Sequence, residues 1–152
     1  KKPKSGQTKT ATPAHHFIKD ELEDYTAPSA SGLKVLNSRT FAEGLRLTVV
    51  ENDMMESKTE AIVIPSDSSL SLNGLIGQKL ATKAGPELTN KINSLVGSGF
   101  SLDTSEACVL KDCGLSSVSS VVFVSSPVMS MQPSQDVAKN KLQEAVKNIL
   151  RE

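Results

Sequence analysis

The chain has 152 residues with 17 basic and 17 acidic side chains and no formal net charge, which fits one domain with a tail and removes any whole-molecule attraction to DNA or membrane. Four Phe, one Tyr and no Trp argue against an aromatic stacking platform for single-stranded nucleic acid, and no apolar run approaches the ~20 residues that span a bilayer. Two cysteines, Cys108 and Cys113, have no nearby His pair to complete a zinc site, and Cys108, in an apolar run, reads as a small buried hydrophobe.

Residues 1–31 read as a flexible Lys-, Ser- and Pro-containing linker, with few apolar side chains to offset the entropy of ordering. Its start carries Lys1, Lys2, Lys4 and Lys9 and no acid, either a solvated terminus or a basic arm that neutralises a few DNA phosphates. That start lacks the apolar core of a signal peptide, so an intracellular protein is expected. One island, residues 15–25, combines Phe17, Ile18, Leu22 and Tyr25 with an acidic cluster and suits a short docking helix. His15 and His16 read as a solvated pair. Ile18-Lys19-Asp20-Glu21 has the apolar-Lys-x-Glu pattern that the SUMO-conjugating enzyme accepts, which makes Lys19 a candidate modification site.

The folded part is expected to begin near Gly32 and run to residue 152. A first strand covers Leu33, Val35 and Leu36; a second alternates Leu45, Leu47 and Val49 on its better-buried face. Ala61 to Ile64 is a continuous apolar run, suited to a strand covered on both faces by helices. Leu75, Ile76, Leu80 and Ala84 have helical spacing, and Gly85 stops that helix. Pro86 opens the next, with Glu87 near its positive end and a stripe of Leu88, Ile92, Leu95 and Val96. Ala107–Leu110 and Val121–Val124 are two further strands. Pro133 and Ser134 precede a last helix with Val137, Leu142, Val146 and Ile149 facing inward. Strands alternating with helices indicate a layered α/β fold. In such folds ligands bind where strands end and loops lead into helices, which places Asp53, the 65–77 segment and Ser125–Ser126 on one rim.

Three features of that rim bear on chemistry. Asp53 follows an apolar strand; its carboxylate suits either an exocyclic amine such as that of adenine or ordinary turn and cap formation. Gly74 and Gly77 precede and enter a helix, where backbone N–H groups hold phosphates or simply turn the chain. Ser126-Pro127 marks a strand end and offers a backbone contact.

Taken in order, LRLTVVEND, TEAIVIPSD, SLNGLIGQKLATKAGPEL and VVFVSSP resemble a macro domain, and their spelling is most similar to the macro domain of the macro histone variants. The resemblance implies a three-layer α/β fold with a mixed, mainly parallel sheet between helices. It covers residues 32–152, about the first two thirds of such a domain, without the closing C-terminal third. It implies ADP-ribose as the ligand and no cofactor or metal. Asp53 would contact the adenine, Met54 would offer its N–H, Gly74 and Gly77 would lie in the first phosphate loop, and Ser126 would add a backbone contact.

The resemblance also carries departures. Macro domains that hydrolyse ADP-ribose linkages end this strand in Asn-Ala-Ala-Asn, where this chain has Ile64-Pro65-Ser66-Asp67, and they carry a richer glycine run. The implied function is therefore non-enzymatic: a chromatin-associated macro domain of a histone variant, in the nucleus, with weak or no binding of ADP-ribose-type ligands. Its partners would be the nucleosome, reached through a histone fold outside these residues, and ADP-ribosylated proteins, with no membrane. The alternatives are an ADP-ribosyl hydrolase and a protein-interaction domain with a vestigial pocket. Taken alone, residues 1–152 are expected to leave a sheet edge and an apolar helix face open, and so to self-associate or bind a complementary chain.

Overall fold

The structure, a computed structural model, describes residues 34–152. The basic arm, the His15–His16 pair, the Lys19 motif and the Gly32 boundary lie outside the described residues. Within them the chain forms five strands and three α-helices. Strands β1 (Lys34–Thr40) and β2 (Arg46–Glu51) make an antiparallel hairpin with a register shift between Val35 and Asn37. Its turn closes through Phe41 N–H to Leu45 O at 2.8 Å and Gly44 N–H to Phe41 O at 2.9 Å. Gly44 sits at φ +81°, where a side chain would be strained.

The second sheet has three strands in the order β3 (Ala61–Ser66), β5 (Ser120–Ser125), β4 (Ala107–Lys111). The β3–β5 pair is parallel and the β4–β5 pair antiparallel, so the sheet is mixed. β5 is central because its Val-Val-Phe-Val run can be buried on both faces. Val121 and Phe123, both fully buried, join Ile62, Ile64, Leu80, Leu88 and Ile92 in one core. That core sits under α1 (Leu75–Ala84) and α2 (Pro86–Gly97). Val122 and Val124 are buried too, on the opposite face, where α3 (Gln135–Arg151) packs against β4 and β5. Helices thus cover both sides of the sheet, the three-layer α/β arrangement that the sequence implies.

The helix boundaries follow from local chemistry. Gly85 ends α1 at φ +67°, and Pro86 starts α2 in the first turn, where its lack of an N–H costs nothing. Ser134 caps α3, its Oγ accepting the Val137 N–H at 3.3 Å. Small residues, Ala138 and Ala145, let α3 lie close on the sheet. Ser105 donates its Oγ to Lys141 O at 2.7 Å and accepts Asn148 Nδ2 on its carbonyl at 2.9 Å, pinning the helix sideways.

Several sequence expectations require correction. The Leu45, Leu47, Val49 face is 50–60% exposed, because the hairpin pairs only with itself and that face lacks cover. β3 is buried through Ile62 and Ile64 on one face, while Ala61 is exposed and Val63 half-buried, as suits its place at an edge of the sheet. On α1, Leu75 and Ile76 are exposed and only Leu80 and Ala84 reach the core; on α2 Val96 is exposed. On α3 the inward positions are Ala138 and Ala145, whereas Leu142 and Val146 point outward. Helical spacing fixes a stripe but not its width, and contact with a flat sheet favoured the small residues. Cys108 is half-buried and Cys113 is the deeper thiol; burial pushes both thiols up from their ordinary pKa.

Phe123 is the bulkiest fully buried side chain. Phe123→Ala is expected to cost about 3–5 kcal/mol, through lost transfer energy and a residual cavity. A urea melt of the two proteins measures it; an unchanged midpoint would displace β5 from the centre of the core.

Candidate functional site

β3 and β5 run parallel in register from Ala61–Ser120 to Ser66–Ser125, so their carboxyl ends finish side by side. Ser126 N–H donates to Ser66 O at 3.3 Å just beyond. Ser66 in turn donates its Oγ to Ser71 O at 3.0 Å, tying the strand end to the loop that leads into α1. Parallel pairing therefore places Ser126 and the 67–74 loop on one rim.

Asp67 organises that loop. Its Oδ1 accepts Ser69 N–H at 2.9 Å, Ser69 Oγ at 2.8 Å and Ser71 N–H at 3.1 Å. These bonds, led by the Ser71 N–H, hold its carboxyl below the usual aspartate range. The loop then drives Leu70 into the core, fully buried at φ +57°, a left-handed conformation that Leu adopts only under constraint. The Asp67 charge is thus spent on the loop's own N–H groups.

Gly74 precedes α1, and no side chain caps the helix's first turn. Gly77 is buried, and a Cβ there would lie 2.7 Å from the Leu72 backbone, so this glycine has a packing reason independent of any phosphate. Gly74 has open space around it.

Asp53 ends the β2 excursion and caps a single 3₁₀ turn, Met54–Glu56. Its Oδ1 accepts the Met55 N–H at 3.0 Å, and its Oδ2 faces Lys79 Nζ at 3.3 Å. The Met55 N–H first, then Lys79, hold the carboxyl below its ordinary value. The cap reading of Asp53 is thus what the structure shows, with the carboxylate also turned to Lys79 of α1. Lys83 fastens the same turn to α1, donating to Met55 O at 2.5 Å and Glu56 Oε1 at 2.8 Å.

Between this turn and α1 lies an open cleft of about 410 Å³, with Asp53 and Lys79 at its edge and Met54, Met55, Leu75 and Ile76 as its apolar surface. The exposure of Leu75 and Ile76 follows from their place on this wall. Among the described residues the cleft gathers Asp53 and Met54. Gly74 and Gly77 belong to the first turn of the same helix without lining it, and Ser126 reaches only the loop. A separate depression of about 470 Å³, lined by Lys58 and Ser116–Ser119, lies at the amino ends of β3 and β5, away from this rim. The described residues hold no group of His, Cys, Asp and Glu able to bind a metal ion, and no helix among them is long and apolar enough to cross a membrane. Sequence reasoning missed Lys79: it is 26 residues from Asp53, and the apolar spacing that defines α1 draws attention away from its polar face.

No family model matches the chain. It is similar to histone macroH2A1.1 of Capsaspora owczarzaki, 27% identical over 119 residues, which is 78% of this chain and 31% of that protein. The macrodomain of Oceanobacillus iheyensis solved with ADP matches the fold at a TM-score of 0.68 and 21% identity, covering 80% of this chain and 63% of that one. The macro domain of ganglioside induced differentiation associated protein 2 matches at a TM-score of 0.52 and 22% identity, covering 62% and 44%. The fold is that of a macro domain. The chain spans less than a third of the histone's length and under two thirds of the bacterial domain's.

The loop makes two predictions. Because the Asp67 pKa is lowered on folding, its stabilisation is complete above the unfolded aspartate value, about 3.9, and lost as pH falls through the lower folded value. Asp67→Asn should flatten the stability profile below about pH 4, the unfolded aspartate range; superimposable acid-melting curves would remove the carboxylate from the loop's support. Gly77→Ala should be net destabilising, since overpacking costs about 1–3 kcal/mol and the helix-propensity gain is about 1 kcal/mol. Chemical denaturation decides it, and a stabilised variant would mean that α1 does not press on Leu72.

Proposed function

We propose that the cleft between the Asp53 turn and α1 takes the adenine end of an ADP-ribose-type ligand, which is bound and not hydrolysed. The observation that carries this reading is the Asp53 carboxylate at an apolar-walled cleft, fixed by the Met55 N–H through Oδ1 and facing Lys79 through Oδ2. An adenine face suits Met54, Leu75 and Ile76, and its exocyclic amine suits the carboxylate. The Met54 N–H is the further donor offered to the base. The diphosphate would extend toward Gly74 and Gly77, where the first turn of α1 lacks a side-chain cap and its dipole favours an anion. Ser126 would contribute backbone from the neighbouring strand end. Support also comes from the bacterial macrodomain of the same fold, solved with ADP.

Binding without hydrolysis is favoured by what stands at the end of β3. Ile64 is a core residue, and the Asp67 carboxylate is engaged by its own loop. Neither offers the amide that the hydrolysing relatives bring to this strand end. The likeness to macroH2A1.1 supports a chromatin setting in the nucleus, where a histone fold would deliver this domain to ADP-ribosylated proteins. The open Leu45, Leu47, Val49 face favours a second reading, an interaction domain whose cleft is unused.

Calorimetry with ADP-ribose tests the first reading. Asp53→Ala is expected to weaken binding about tenfold, the effect of removing one charge-assisted acceptor. Equal affinities for the two proteins would take Asp53 out of the site, and no binding at all would select the interaction domain. Incubation with an ADP-ribosylated substrate should release no free ADP-ribose; release that scales with protein concentration and is lost in Asp53→Ala would establish a hydrolase.

A further inference from the structure

The edge of the cleft carries a cation that the adenine reading does not use. Lys79 Nζ lies 3.3 Å from Asp53 Oδ2, and Oδ1 already accepts the Met55 N–H. Both oxygens of the carboxylate thus have a partner before any ligand arrives. Lys83, one turn further along α1, is held by Met55 O and Glu56 and does not compete for Asp53. The ammonium of Lys79 and the exocyclic amine of a base are both hydrogen-bond donors, and both suit the same carboxylate at the lining of the cleft.

We propose that Lys79 is a specificity-determining residue that competes with the ligand's amine for Asp53, so that a neutral adenine-bearing ligand gains its amine contact at the lysine's expense. This rests on the adenine reading of the cleft. The side chains of the pair are 58% and 46% exposed, so the bond is worth little and the competition is a modest one, open to a ligand that replaces it with a comparable hydrogen bond. A ligand that also carries a diphosphate regains part of the loss, because the displaced ammonium is then free to approach the phosphate oxygens. Lys79 thereby disfavours adenosine more than ADP-ribose, a discrimination set by one side chain.

The test uses adenosine, which has the amine and no charge, beside ADP-ribose, both titrated calorimetrically against the full chain. Lys79→Met keeps the apolar stem and removes the charge; it should bind adenosine about two- to fivefold more tightly than the parent, the fold-change matching an exposed ion pair. Lys79→Arg keeps the charge and should stay near the parent. ADP-ribose should gain less than adenosine from Lys79→Met. Unchanged or weaker adenosine binding in Lys79→Met, an equal gain in Lys79→Arg, or no adenosine binding by either protein while ADP-ribose binds would overturn the competition and leave the cleft reading standing. Failure of ADP-ribose to bind any of the three proteins would overturn both.

Discussion

The structure depends on one constraint: β5 must be buried on both faces at once. Its Val121–Phe123 side belongs to the α1–α2 layer and its Val122–Val124 side to α3, so the strand has no solvent-facing alternative. A one-residue slip would exchange the two sets but could not free either from burial. What fixes the register is therefore not the strand alone but its neighbours. Glu60 O accepts the N–H groups of Ser119 and Ser120 at the start, and Ser125 N–H donates to Glu106 O at 2.9 Å at the finish. With β5 clamped at both ends, β3 is set beside it in parallel. The loop after β3 then has to open beside the end of β5, and the rim follows from that geometry.

Charge on the rim is arranged so that each carboxylate is spent locally. Asp67 satisfies loop N–H groups, Asp53 satisfies the 3₁₀ turn and Lys79, and Glu56 pairs with Lys83. Such bonds cost little to make at a surface and stabilise little individually. Their effect is positional: two lysines of α1 fasten the turn after β2 to a helix that belongs to the other sheet's layer. The turn and the helix are the two walls of the cleft, so the side chains that hold the walls together are also those that set its electrostatics.

Much of this was legible in the sequence. Pro86, Gly85 and Ser134 mark helix limits that depend only on local backbone chemistry, and each stands where the structure begins or ends a helix. The strands themselves were carried by apolar runs such as Val121–Val124, but which of them lies in the centre of the sheet was not, since the run Ala61–Ile64 suggested cover on both faces and stands at an edge. Depth was less legible. Leu142 and Val146 have the spacing of an inward stripe, but the face that meets the sheet is the one bearing Ala138 and Ala145, since a helix closes more tightly on a sheet over small side chains. Leu45, Leu47 and Val49 mark a face that seeks cover without saying what covers it. In the site, Asp53 was legible because it ends a strand. Lys79 was not, because a pair 26 residues apart leaves no periodic trace.

Ile64 bears on whether the strand end could ever serve hydrolysis. It aligns with the first Asn of the pattern in hydrolysing macro domains, yet here it is 1% exposed and packed within the core. An amide at that position would be buried among Leu80, Leu88 and Phe123, where an unpaired polar group costs about 1–3 kcal/mol. The carboxylate that aligns with the second Asn is likewise committed, since releasing it would free the Ser69 and Ser71 N–H groups and loosen the turn that seats Leu70. Both positions are therefore tied to folding before they are available to a ligand. Recovering the amide pair would require repacking the β3 core and rebuilding the loop together. That double commitment to folding is the physical ground for proposing binding without hydrolysis.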